Sequence, residues 1–138
     1  MKRLLPWSVL LSLVSLGCGP RELRVAMNPD NNSGQSGFAV ILDRGGKGIT
    51  VTVETSAPAF PGPQVAHIHA GSCGEVGAVR VGLDMLEALP SQADRYGSTT
   101  EITMGTPFDT FKSGAWIINV HDTRDIGLYV SCGKIPAP

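Results

Sequence analysis

Hydrophobic and polar residues alternate with a period of two along most of the chain. In Gly48–Glu54, Ile49, Val51 and Val53 fall on one side and Thr50, Thr52 and Glu54 on the other. On a strand this sets one face in a core and the other in water, the pattern of an antiparallel sheet wetted on one face. Phe38–Leu42 precedes it across the turn residues Asp43–Gly46, so the two segments predict a hairpin. Leu23–Met27 alternates as a first strand, followed by turn material from Asn28 to Gly37. Val65–Ala70, Trp116–His121 and Leu128–Cys132 are strong strand segments; Val76–Leu83 is a strand weakened by glycines, and Ser98–Met104 an edge strand. Between them, Ala57–Pro63 carries three prolines and cannot pair centrally. Asp84–Leu89 fits one or two helical turns stopped at Pro90, and Ser91–Gly97 a polar loop. Phe108 and Phe111, in the loop Pro107–Gly114, are expected to plug the core. Seven or eight short strands with almost no helix predict an all-β sandwich or Greek-key barrel.

The start of the chain does not share this pattern. Met1-Lys2-Arg3 is basic, Leu4 to Leu16 is mostly apolar, and Gly17-Cys18 closes the run, as in a secretion signal rather than a spanning helix. Val14-Ser15-Leu16-Gly17-Cys18 resembles a bacterial lipoprotein signal, with Ser15 where the strongest versions have Leu; ordinary secretion with an incidental Cys18 is the alternative. The expected organisation is a signal over residues 1–17, a tether and first strand over 18–34, and a β domain over 35–138. Lipidation of Cys18 would place the protein outside the cytoplasmic membrane, in the periplasm or envelope, touching the bilayer only through that anchor. Of the 11 basic side chains, Lys2 and Arg3 leave with the signal, so nine face 12 acidic ones. With no Lys/Arg cluster, this is not a nucleic-acid surface. Two cysteines remain, Cys73 and Cys132. In an oxidising compartment such a pair is most simply a disulfide, with free thiols or soft metal ligands as alternatives.

Candidate chemistry centres on histidine, of which the chain has three. His67 and His69 share one face of their strand, about 7 Å apart along it, and His121 ends another apolar strand. Three imidazoles on neighbouring strands suit copper or zinc. Asn119, Asp122 and Asp125 are candidates to orient the rings, and Arg124 is close enough in sequence to reach the site from its loop. Tyr129 points outward on the alternation of its strand, where it could shield a metal or supply a proton. Met27, Met85 and Met104 sit in apolar patterns that fit core filling better than ligation. No Ser-His-Asp arrangement and no phosphate-binding glycine loop is present.

His67-Ile68-His69, the glycine-containing turn with Cys73, Asn119-Val120-His121 and the terminal Cys132-Gly133-Lys134-Ile135 resemble the copper/zinc superoxide dismutase family, in that family's order and over roughly residues 35–135. The resemblance implies an eight-stranded Greek-key β-barrel, copper held and cycled by His67, His69 and His121, and a Cys73–Cys132 disulfide. It also implies superoxide, a small anion, as substrate. Two departures follow from the residues themselves. Cys73 to Met104 contains no histidine, so the zinc ligands and the bridging histidine are missing and one copper without zinc is expected. Tyr129 stands where the family has its active-site arginine, three residues before the last cysteine. Copper binding for storage or exchange with a donor or acceptor protein needs only what remains. Ser113–His121 also resembles the CHRD domain, a related β module, which implies as a further alternative a non-enzymatic binding module.

Overall fold

In the computed structural model, which describes residues 19, 21–103 and 105–137, the alternating segments form nine antiparallel strands. These are β1 (Glu22–Pro29), β2 (Gly37–Asp43), β3 (Ile49–Ser56), β4 (Ala66–Ser72), β5 (Glu75–Gly82), β6 (Glu87–Leu89), β7 (Gln92–Ile102), β8 (Trp116–His121) and β9 (Tyr129–Lys134). Their spatial order is β5-β4-β8-β9-β1-β2-β3-β7-β6. Residues 1–17, where a signal is expected, Cys18 and Met104 lie outside the described residues.

The sheet curls on itself in the manner of a sandwich, and β1 is where it turns. Glu22–Met27 pair with β2, whereas Asn28 and Pro29 pair with Ser131 and Cys132 of β9. The inward residues of both halves meet in one core. Leu23, Val25 and Met27 come from β1, Ile49, Val51 and Val53 from β3, Ala66 and Ile68 from β4, and Ile118 and Val120 from β8. Phe108 and Phe111, on a short 3-10 turn, close it as expected. At the opposite corner Gln64 and Leu86 exchange backbone hydrogen bonds of 2.9 Å, tying the approach to β4 to the approach to β6.

Three expectations need correction. Asp84–Leu89 is not helical: Leu86 bridges Gln64 and Glu87–Leu89 is strand β6, paired with β7. One or two isolated turns cannot repay helix nucleation when two strand edges offer partners. Ser91–Gly97 is not a loop, because β7 begins at Gln92 and pairs with β3 through Arg95 and Tyr96. Its polar sequence reflects a wet outer face, with Gln92, Ala93 and Asp94 exposed and Tyr96 buried. The strand predicted over Ser98–Met104 is the end of β7; β6 pairs with β7 only as far as Gly97, so from Ser98 to Ile102 this segment has β3 as its one strand neighbour and forms the expected edge. The strand count is nine, with the short β6 outermost beside β7.

Candidate metal centre

β4 carries its small apolar residues, Ala66 and Ile68, inward, so His67 and His69 are left on the outer face. β8 aligns antiparallel to it, with Asn119 opposite His67 and Ile117 opposite His69. His121 follows at the end of β8, and its N–H donates to the Val65 carbonyl at 2.9 Å. This register brings all three imidazoles together. One ring nitrogen from each lies within 4.8 Å of the others, and the His67 and His121 ring centroids are 4.9 Å apart. Three nitrogens at about 2.0–2.1 Å from one ion can be at most about 4.2 Å apart. A side-chain adjustment of under about 1 Å would therefore close the set.

The hydrogen bonds fix which nitrogen each ring offers. His69 Nδ1 faces the Gly77 carbonyl at 3.0 Å, and His121 Nδ1 faces the Ile126 carbonyl. A carbonyl only accepts, so both Nδ1 atoms carry a proton, and in the neutral form of each ring Nε2 is the nitrogen with the lone pair. His69 Nε2 is buried and has no hydrogen-bond partner among the described residues, a cost that a metal ion would remove. His67 Nδ1 lies 3.0 Å from His121 Nε2. Two lone pairs would repel there, so His67 Nδ1–H donates to His121 Nε2; movement of that proton to Nε2 of the same ring would free Nδ1 as the third ligand. The residues present thus fit a metal ion held by His67 Nδ1, His69 Nε2 and His121 Nε2.

Electrostatics favour the metal-binding form. Burial, and secondarily the like charges of His121 and His69, hold the His67 pKa below the ordinary imidazole range. Burial also lowers that of His121, against the Ile126 carbonyl, which favours its charged form. Neutral imidazoles are the ligating species.

The supporting structure comes from the β4–β5 hairpin and the loop before β9. Register irregularities on either side of His69 bring the Gly77 carbonyl to its ring. A Cβ at Gly77 would sit 2.7 Å from the Ala70 carbonyl oxygen, so only glycine allows that approach. The hairpin tip is tied to β9 by the Cys73–Cys132 disulfide. Cys132 lies opposite Asn119, with β8 between β9 and β4, so the tip crosses the outer face of β8. That crossing accounts for Ile117 and Asn119 being fully buried although they point away from the core.

Of the other residues singled out in the sequence, Tyr129 reaches the cluster, its ring centroid 4.9 Å from that of His121 and 6.0 Å from that of His69. Asn119 is buried beside His67 in register, but among the described residues neither its Oδ1 nor its Nδ2 has a hydrogen-bond partner. Asp122 accepts from the Arg124 backbone N–H at 2.8 Å, and the Arg124 guanidinium lies 3.2 Å over the Phe60 ring centroid, so these two pack the loop. Asp125 accepts from the Gly127 N–H, shaping the turn that aims the Ile126 carbonyl. Met27 is core and Met85 is exposed. The groups that orient the rings are the main-chain carbonyls of Gly77 and Ile126, which sequence reasoning missed. A carbonyl has no residue signature; Gly77 and the Asp125-Ile126-Gly127 turn were the available signals.

No protein-family model matches the chain, and no curated protein or solved structure is similar enough to it to assign a family. The geometry alone establishes a three-histidine cluster able to coordinate a metal ion on a curled antiparallel β-sheet.

Proposed function

We propose that the protein binds one copper ion per chain at His67, His69 and His121, outside the cytoplasm, in a domain related to the copper/zinc superoxide dismutase barrel but without its zinc site. The observation that carries this reading is the commitment of two Nδ1 atoms to main-chain carbonyls, with the buried Nε2 of His69 left unpartnered. Imidazole donors suit both oxidation states of copper, and among the described residues no acidic or thiolate side chain joins the cluster. The disulfide supports an oxidising location, and the Gly17-Cys18 ending of the apolar start supports export with a lipid anchor.

Copper, when bound, supplies one-electron exchange, and superoxide is the small anion that the resemblance assigns to it. The chain's own contribution is to hold three imidazoles together and to cover one side with Tyr129. That tyrosine brings no positive charge where the family uses arginine to attract the anion. This favours copper storage or exchange as the second reading, over fast turnover.

Metal analysis of the mature protein should give one copper per chain with a nitrogen-rich EPR signal, and His67→Ala should abolish both. Copper retained by that variant with an unchanged spectrum would refute the assignment. A wild-type chain that takes up no copper would point to the CHRD-like binding module. Superoxide turnover by the copper-loaded, zinc-free protein separates a dismutase from a carrier.

A further inference from the structure

His121 is held from behind as well as from its ring. At this point the regular ladder fails: β8 pairs with β9 through Val120 and Ser131, and the register then slips so that His121 faces Tyr129. The His121 carbonyl is taken instead by the side chain of Gln64, whose Nε2 donates to it at 3.0 Å. Gln64 is fully buried, just before β4. Its own backbone is fixed in both directions to Leu86.

The amide of Gln64 is in turn braced by that of Gln35, which lies between β1 and β2. Gln35 Nε2 donates to Gln64 Oε1 at 2.6 Å, and Gln64 Nε2 donates back to Gln35 Oε1 at 3.1 Å. The second Gln35 N–H goes to Thr55 Oγ1 at 2.9 Å, at the end of β3. All three side chains are buried, Gln35 being 3% exposed and Gln64 and Thr55 0%. Each of the four amide N–H groups has one acceptor, so neither amide can flip without setting oxygen against oxygen. The reciprocal amide pair therefore donates outward at both ends, to the His121 carbonyl on one side and to Thr55 of β3, in the other half of the sandwich, on the other.

We propose that Gln64, braced by Gln35 and Thr55, is a positioning residue for the metal centre: it fixes the main chain of His121 and through it the place of Nε2 relative to His67 Nδ1 and His69 Nε2. The proposal rests on the copper reading for its principal readout. A glutamine buried only for structure would contribute to stability without setting the geometry of a ligand on the opposite side of β8.

The test uses the mature chain with copper(II) alone as the probe. Gln64→Met keeps the volume and removes both amide functions; it should weaken copper binding on the order of ten-fold or more, as loss of a ligand-orienting contact does, and should alter the copper hyperfine splitting. Ile41→Val, in the core of β2, serves as the control for stability and should leave affinity and spectrum unchanged. Gln64→Met with wild-type affinity and an unchanged spectrum would overturn the proposal. If that variant does not fold, Gln35→Met decides, because it leaves the bond to His121 but removes its brace: a changed copper spectrum supports the proposal and an unchanged one overturns it. A wild-type protein that takes up no copper refutes the copper reading; positioning is then read from the ¹⁵N shifts of the His121 imidazole in the metal-free protein, which should move in the variant and would count against positioning if they did not.

Discussion

At the scale of single residues, the three histidines differ in what holds them. His69 and His121 have their tautomers set by carbonyls, whereas the His67 ring has, among the described residues, only His121 as a hydrogen-bond partner. The lowered pKa values of His67 and His121 have a consequence for stability. Unfolding returns both to the ordinary value near 6.5, so below that pH the unfolded chain binds protons more tightly than the folded one. Their contribution is fully present above about pH 6.5 and is lost as the pH falls through the lowered folded values. The metal-free protein should therefore show a lower urea midpoint at pH 5 than at pH 7.5, and His67→Gln with His121→Gln should flatten that dependence. A midpoint that rises on acidification would contradict the sign. The histidines were legible in the sequence because a His-x-His pair on a strand has a fixed geometry. Their tautomers were not, since these depend on carbonyls brought in by folding.

Among the elements, those with strict alternation were legible to within a few residues. Trp116–His121 is strand β8 as expected, and Gly48–Glu54 lies within or beside β3. Asp84–Leu89 was misread because Met85, Leu86 and Leu89 have a spacing that a helix and an irregular strand share. What decides it is the partner: Leu86 meets Gln64, twenty-two residues earlier, and no local pattern encodes that bond. The β4–β5 hairpin shows the same principle in its attachment. Its tip is joined to β9 across a separation of 59 residues, and a crosslink closing such a loop is worth about 4 kcal/mol on the entropic model. Cys73→Ser with Cys132→Ser should lower stability by an amount of that order. It should also speed hydrogen exchange at the β5 amides around Gly77, because the tip is then free to lift from β8. Unchanged exchange there would show that the hairpin is held by its ladder alone.

For the molecule as a whole, the all-β class follows from period, strand number and turn composition, whereas closure does not. Closure depends on close approaches such as Gly133 of β9 against β1. A Cβ on Gly133 would lie 2.6 Å from both Met27 Sδ and Val25 Cγ1, and 2.7 Å from the Ala26 carbonyl oxygen. Gly133→Ala should thus cost about 1–3 kcal/mol as overpacking, read as a lowered denaturation midpoint at fixed pH. A variant as stable as wild type would mean that β1 and β9 can separate without loss.

β1 also gives the molecule a polarity. Its first residue, Glu22, lies opposite Leu42 at one end of the sheet; Asn28 lies opposite Cys132, level with Asn119 and His67, at the other. Six residues of extended strand between them span about 20 Å. A lipid on Cys18 would secure the end at Glu22, so the histidines would stand on the far side of the domain, presented to the aqueous space rather than to the bilayer. Small ions and soluble proteins would then reach the centre from solution, and the bilayer would hold the molecule without masking it.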